Sequence, residues 1–181
     1  MPPDGFSGGD RLRNYLDGIA ARVASASQVA VGFLEGATEA DGVSVAMIAA
    51  IQEFGAPKAG IPPRPFFRTM IAAKAPGWGG AMAKILKSTD YDAGKTLGQM
   101  GEGMKGQLQE SIIAVDSPAL SPITLMLRKM LSEDQSLVVT GKVVGEAARR
   151  VAEGESTAGA ATKPLDYTGH LLNSVDYEVK A

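Results

Sequence analysis

The spacing of apolar residues along the chain predicts a series of amphipathic helices with one strand near each end. In most stretches the apolar side chains recur every three or four residues, which is the period of a helix with one buried face. In two stretches they alternate with smaller or polar residues, which is the period of a half-buried strand. We predict helices over 10–23, 44–54, 65–73, 81–86, 91–115, 122–130, 140–153 and 168–173, and strands over 28–34 and 174–180.

Glycine and proline predict where several of these elements end. The helix over 44–54 carries Met47 on its apolar stripe and ends at Gly55, a residue type that accepts left-handed backbone. Residues 56–65 hold three prolines within four positions, which fix an extended backbone, so we expect a stiff loop there. The Gly-Trp-Gly-Gly stretch over 77–80 predicts a break between two helices.

Two segments contain too few apolar residues to join a core. Residues 1–9 are rich in Pro, Gly, Ser and Asp, and we expect a flexible lead-in to a helix that Asp10 caps. Residues 154–163 are mostly Gly, Ala, Ser and Thr, which predicts an exposed, mobile loop. The remainder predicts a single domain over 10–181, in which Thr168 caps the short helix before the last strand.

Composition excludes several classes of protein. The chain has 181 residues, of which 45% are hydrophobic and 21% charged, with a net charge of -2, as in an ordinary globular domain. The absence of cysteine excludes disulfides, a thiolate nucleophile and Cys-ligated metals, and the single histidine, His170, excludes a paired-His site. No apolar run approaches the roughly 20 residues that span a bilayer, and the N-terminus lacks a secretory signal, so we expect a cytoplasmic protein.

Motifs that suggest chemistry stand in the wrong context. Gly101 to Gly106 fits G-x-G-x-x-G, but the motif follows a helical pattern rather than a strand, so we predict small residues at a close helix contact. Gly94-Lys95-Thr96 lacks the earlier glycine of a phosphate loop, and His170 has no identified nucleophile beside it. A solvated surface is the default for five basic residues, Arg64, Arg68, Lys74, Lys84 and Lys87.

One segment is more specific than the rest of the chain. It reads Ile-Gln-Glu-Phe-Gly over 51–55 and then Ile-Pro-Pro-Arg-Pro-Phe-Phe-Arg over 61–68. A helix end, a rigid proline loop and a helix start with two aromatic residues are suited to fixing two elements at one angle. Within it, a buried Glu53 would accept hydrogen bonds from loop amides or pair with Arg64 or Arg68.

This segment resembles the virion morphogenesis proteins of tailed bacteriophages, small minor tail, neck and tail-completion proteins with E-[FY]-G followed by I-P-x-R-P-F-[FL]-R. The stretch over 164–175 resembles the family's T-G-x-L-x-x-S-[IV] ending, and 121–129 resembles its middle element. The resemblance runs from Val29 to Val179 and departs from the pattern at Tyr167 and in the long insertion over 140–163. The residues that carry it are Glu53, Phe54, Gly55, Pro63, Arg64, Pro65, Phe66, Arg68, Thr168, Gly169, Leu171 and Ser174.

The resemblance implies an α+β fold in which a small, mostly antiparallel sheet packs against several helices. It implies a structural protein of the head-tail joint or tail end, present in rings or multiple copies, with no catalytic, cofactor-binding or metal-binding residues. Its expected partners are other tail or connector proteins and copies of itself, with the proline loop and residues 154–163 as candidate contacts. It would act in the host cytoplasm during assembly and then in the virion, and would contact DNA only through an assembled lumen.

Two other functions stay open at this stage. A DNA-binding accessory protein would require a local basic patch, although the acidic pI of about 5.5 argues against a protein that coats nucleic acid. A nucleotide-binding enzyme would have to use the glycine-rich helix, and this is the less favoured alternative.

Overall fold

Helices make up most of the fold. The computed structural model describes residues 9–33, 36–38, 42–165 and 169–181. Within these ranges, the helices are α1 (Gly9–Val23), α2 (Val45–Phe54), α3 (Phe66–Ser88), α4 (Ala93–Ala114), α5 (Pro122–Glu133), α6 (Gly141–Ala152) and α7 (His170–Asn173), and the strands are β1 (Gln28–Phe33) and β2 (Val175–Lys180). No helix in the described part of the chain is long and apolar enough to cross a membrane.

The two strands pair antiparallel and lie against the long helix α4. Gln28 lies opposite Lys180 and Phe33 lies opposite Val175, so strands from the two ends of the domain meet. One face of this sheet packs on α4. The α+β fold, with a small antiparallel sheet packed against helices, is therefore confirmed.

Gly101 allows the sheet to approach α4 closely. A Cβ built at this position would lie 2.7 Å from Cγ of Tyr177 and 2.9 Å from Cγ2 of Val29, which is closer than real Cβ atoms come. The predicted close contact of the glycine-rich stretch is confirmed at this residue, but its partner is the sheet. Gly103 and Gly106 have open space around them and do not take part.

The main core lies between α2, α3, α4 and β2. Its largest buried side chain is Phe66, which is 1% exposed and meets Phe33 edge to face, with ring centroids 6.3 Å apart. Leu165 and Leu171 join the same cluster from the C-terminal part of the chain. The two segments that carry the family resemblance thus meet in one core.

Helix α3 corrects the predicted break over 77–80. It runs without interruption from Phe66 to Ser88, with Pro76 in its interior. An interior proline costs a helix about 3 kcal/mol, because it removes one hydrogen bond and crowds the preceding turn. Packing along α4 offsets this cost, and Trp78 both packs on the main core and donates a hydrogen bond of 2.9 Å from Nε1 to Oε1 of Gln107.

Helices α5 and α6 form a hairpin with a small core of its own. Met126, Met130 and Ala147 are buried there, and α5 continues three residues beyond its predicted end at Met130. The segment over 154–163 is mostly exposed, as predicted. It is nevertheless fastened to α5, because Nη1 of Arg128 donates to the carbonyl oxygens of Ala161 at 2.8 Å and Lys163 at 2.6 Å.

Helix α1 lies on the surface of the protein and contacts α4. None of its residues is buried, and Asp10 lies inside its first turn rather than at the N-cap. Its C-terminal end is attached by an ion pair of 3.0 Å between Arg22 and Asp90 and by a hydrogen bond of 3.3 Å from the Gly94 amide to Oγ of Ser25. Most of the predicted lead-in, residues 1–8, lies outside the described residues.

Candidate functional site

Glu53 joins the end of α2 to the beginning of α3. The residue is 5% exposed. Oε2 accepts a hydrogen bond of 2.8 Å from the Phe67 amide, and Oε1 accepts one of 3.2 Å from the Arg68 amide. These amides belong to the first turn of α3, whose own N-cap position, Pro65, provides no side-chain acceptor. Glu53 therefore caps α3 from a different helix, with its negative charge at the positive end of the helix dipole.

Arg68 completes the environment of this carboxylate. Its Nε donates to Oε1 of Glu53 at 2.7 Å, and its Nη2 donates to the Glu53 carbonyl oxygen at 3.0 Å. The guanidinium also lies over the Phe54 ring, 5.1 Å from its centroid. The predicted pairing of a buried Glu53 with Arg68 is confirmed, whereas the alternatives of Arg64 as its partner and of loop amides as its donors are wrong.

Arg64 has a separate set of partners and is not part of a solvated surface, which corrects the prediction. The residue is 4% exposed, and burial lowers the pKa of its guanidinium below the ordinary value. Nη1 donates to Oε1 of Gln52 at 3.1 Å, while Nε and Nη2 donate to the Pro118 carbonyl oxygen at 3.2 and 3.1 Å. Arg64 thus connects the proline loop to α2 and to the segment after α4.

Gly55 lets the chain turn from α2 into the proline loop. Its φ of 76° is positive, as expected, but its ψ of 171° is extended rather than left-handed helical. A Cβ here would lie 2.8 Å from the Ile61 carbonyl oxygen and 2.8 Å from the Pro63 nitrogen. Only glycine combines this backbone with this close approach.

The C-terminal motif supports the same core from the other end of the chain. Gly169 has a φ of 69° and starts α7, Leu171 is 8% exposed within the main core, and Ser174 ends the helix with its amide bonded to the His170 carbonyl oxygen. Thr168, the predicted cap, lies outside the described residues. The motif therefore positions β2 against α4 and the core around Phe66.

An apolar groove opens beside Glu53. It has a volume of about 260 Å³. Phe54 is 65% exposed at this site, and Met47, which the sequence placed on the apolar stripe of α2, is 60% exposed nearby on the same helix. The buried residues of α2 are instead Val45, Ala49 and Glu53. The groove is lined by Phe33, Ala46, Ala49, Ala50, Glu53, Phe54, Phe66, Phe67 and Arg68.

Sequence reasoning did not find this groove. Helix α2 contains more apolar residues than one buried face requires, and that excess is the signal that was present. Periodicity alone does not determine which apolar side chains face the core and which remain outside.

The other polar motifs form structural contacts. In the Gly94-Lys95-Thr96 sequence, the Lys95 amide is occupied by Oδ1 of Asp92 at 2.9 Å, which is an ordinary helix cap. Gly101 to Gly106 lies in the interior of α4, where backbone amides are used within the helix rather than pointing at a ligand. Among the described residues, no group of three His, Asp or Glu side chains is arranged to hold a metal ion.

Comparisons with known proteins add no relative. No protein-family model matches the chain, and searches of the curated proteins and of the solved structures find no match.

Proposed function

We propose that the protein is a structural virion assembly protein of a tailed bacteriophage. It acts at the head-tail joint or the tail end, as a tail-completion, terminator or neck protein, through protein-protein contacts in a ring or other multi-copy assembly. Its partners in this proposal are tail or connector proteins and further copies of the chain. It assembles in the host cytoplasm, becomes part of the virion, and contacts DNA only through an assembled lumen.

The main support for the proposal is that the motif residues around Glu53 make contacts within the protein. The Glu53 carboxylate and the Arg64 guanidinium are buried and hydrogen-bonded within the protein, and Gly55 is fixed by the close approach of Pro63. These contacts hold the ends of two helices and a loop in one arrangement. Residues bonded in this way position a surface. The charged groups of Glu53 and Arg64 are occupied by these contacts and are not directed at a substrate.

The surface that they position has the chemistry of a protein-protein contact. The groove beside Glu53 is lined mainly by aromatic and alanine side chains, with Phe54 largely exposed. Exposed apolar side chains grouped around a groove are typical of surfaces that another protein covers. A rigid motif with an apolar groove beside it fits an assembly protein better than an enzyme.

Sedimentation velocity over a concentration series tests the proposal against the two alternatives. The proposal predicts association of the chain, with no heat on titration with nucleotides and no salt-dependent binding of DNA. Binding of DNA that weakens steeply as salt rises would favour the accessory protein instead. A heat of nucleotide binding would favour the enzyme. If the chain binds DNA or nucleotide in this way and stays monomeric at every concentration, the proposal is wrong.

A further inference from the structure

We propose that α5, α6 and the segment after them form a rigid arm that turns on residues 116–121, and that Arg64 is the latch that holds the arm at one angle. We call residues 122–164 the arm, residues 116–121 the hinge, and the remainder of the described chain the body. Such a device operates within one copy of the chain, so it goes beyond the proposed function and does not depend on it.

The arm and the body have separate apolar cores. Met126, Met130 and Ala147 are buried in the arm. The buried cluster around Phe66 in the body contains no residue of α5 or α6. These two helices pack on each other, and within the described residues neither packs extensively on a helix or strand of the body. Each part is thus held together by its own apolar contacts, which allows one part to move as a unit.

The segment over 154–163 belongs to the arm. Two basic residues of α5 bind it, Arg128 through the carbonyl groups described above and Lys129, whose Nζ donates to Oε1 of Glu155 at 3.1 Å. The chain enters the body again at Leu165, which is buried in the main core. The arm therefore extends as far as the residue before Leu165.

The hinge makes few contacts of its own. Residues 116–121, all within the described chain, lie outside any helix or strand, and most of them are exposed. Among the described residues, the hydrogen bonds of 116–120 are the two that the Pro118 carbonyl oxygen accepts from Nε and Nη2 of Arg64, at 3.2 and 3.1 Å. Val115 before the hinge packs on the main core, and Ser121 at its end caps α5. One side chain thus holds the segment that joins the two parts.

Arg64 is itself fixed to the body. Its amide donates to the Gln52 carbonyl oxygen at 2.7 Å, and its Nη1 donates to Oε1 of the same residue at 3.1 Å. Arg64 is 4% exposed. A buried guanidinium that loses an acceptor is left with an uncompensated charge, which opposes release of Pro118. The motif that contains Glu53 and Gly55 therefore also sets the angle of the arm.

Turning of the arm would produce a displacement large enough to measure. Helix α5 begins at the hinge and has 12 residues, so it is about 18 Å long. A turn of roughly 15° at the hinge would move the far end of α5 by about 5 Å.

Double electron-electron resonance between two spin labels measures this displacement, because the natural chain contains no cysteine that would also take a label. One pair of exposed sites, Gln99→Cys on α4 and Gln135→Cys after α5, spans the hinge. A second pair, Met47→Cys on α2 and Gln99→Cys, lies within the body. The labelled chain is diluted with unlabelled chain, so that only distances within one copy are measured. With Arg64 in place, both pairs should give one narrow distance.

Arg64→Ala removes the latch. The distance across the hinge should widen or shift by about 5 Å or more, while the distance within the body stays the same. Arg64→Lys keeps the buried charge but offers one nitrogen in place of the two that reach Pro118, so it should widen the distance across the hinge as well. Arg149→Ala is the matched control, because Arg149 bonds to Glu146 and Glu153 within the arm, and its loss should leave both distances unchanged.

Three results would overturn the latch. The first is a distance across the hinge that stays as narrow in both Arg64 variants as in the natural chain. The second is a natural chain in which this distance is already as broad as in the variants. The third is equal broadening of the pair within the body, since Arg64 would then hold the body itself together.

Hydrogen exchange of the natural chain in sub-denaturing urea tests the arm without any variant. The amides of α5 and α6 should exchange together, and at lower urea concentration than those of α4, because the core of the arm is smaller. Exchange of all three helices at the same urea concentration would mean that arm and body open as one unit, and would overturn the arm. The proposed function is decided separately, by association of the chain and by the nucleotide and DNA titrations.

Discussion

Replacing Glu53 by glutamine removes the charge that caps α3 while preserving the shape of the side chain. The carboxylate accepts two amide hydrogen bonds and one from the Arg68 guanidinium, at 2.8, 3.2 and 2.7 Å. Glutamine keeps one acceptor oxygen and brings an NH₂ group against donors, so at least one buried donor loses its partner. Hydrogen bonds to charged groups contribute about 1.5–3 kcal/mol each.

The expected loss of unfolding free energy is about 2–4 kcal/mol, from one lost charge-assisted bond and a weakened cap. The Arg68 contribution is set low, because its side chain is 57% exposed and water screens the pair. With a urea dependence of about 1–3 kcal/mol per molar, the unfolding midpoint should fall by about 1 M or more. Urea titration followed by circular dichroism measures this shift.

Glu110→Gln is the matched control. Glu110 lies 3.9 Å from Lys74 and its side chain is 74% exposed, so its loss should change the unfolding free energy by less than about 0.5 kcal/mol. If the Glu53 variant unfolds at the same urea concentration as this control, Glu53 does not fasten α2 to α3 and the account of the motif is wrong.

Three further substitutions test other parts of the structure. Gly55→Ala should lower the unfolding free energy by about 2 kcal/mol or more, because Gly55 has a positive φ and an added Cβ would meet backbone atoms at 2.8 Å. Gly79→Ala, at a helical position with open space around it, should raise the unfolding free energy by about 0.5–1 kcal/mol, and equal urea midpoints for the two variants would refute this. Arg128→Ala frees the Ala161 and Lys163 carbonyl groups, so limited proteolysis should cut within 154–163 faster than in the natural chain; unchanged cleavage would mean that this anchor is unimportant. Hydrogen bonds from Arg149 and Arg150 lower the pKa of Glu146 from 4.5 to about 2, so the stability that Glu146 adds is present above pH 4.5 and is lost as pH falls toward 2. The thermal midpoints of the Glu146→Gln chain and the natural chain should therefore differ at pH 7 and converge at low pH. A difference that stays constant with pH would contradict this.

Local spacing was sufficient to predict the elements whose period is regular. The strands β1 and β2 and the long helix α4 lie where the apolar pattern places them, within two residues. Their inward side chains recur at the period of one element, and this information is contained in a short window of sequence. The prediction of a break in α3 was wrong because the hydrogen bond between Trp78 and Gln107 supports the helix across its glycine-rich stretch. This contact joins two different helices, so a short window of sequence does not reveal it.

The candidate site shows the same division between local and long-range information. That a buried Glu53 would pair with an arginine of this segment was foreseeable, because these residues flank one short loop and a buried carboxylate needs donors. The sequence left open whether that arginine is Arg64 or Arg68. The burial of Arg64 was not foreseeable, since it depends on the Pro118 carbonyl oxygen, 54 positions along the chain. The exposure of Met47 and the apolar groove beside Glu53 likewise depend on how α2 packs against its neighbours, and the sequence of one helix does not determine this.

In the function proposed above, copies of this chain join to form part of a virion. The most direct measurement is the mass of the purified protein by light scattering over a concentration series, paired with negative-stain imaging of the same samples. Self-assembly of the chain would give a closed ring, or a monomer that converts to rings as concentration rises. A monomer at every concentration, with no ring in any image, would contradict self-assembly of this chain.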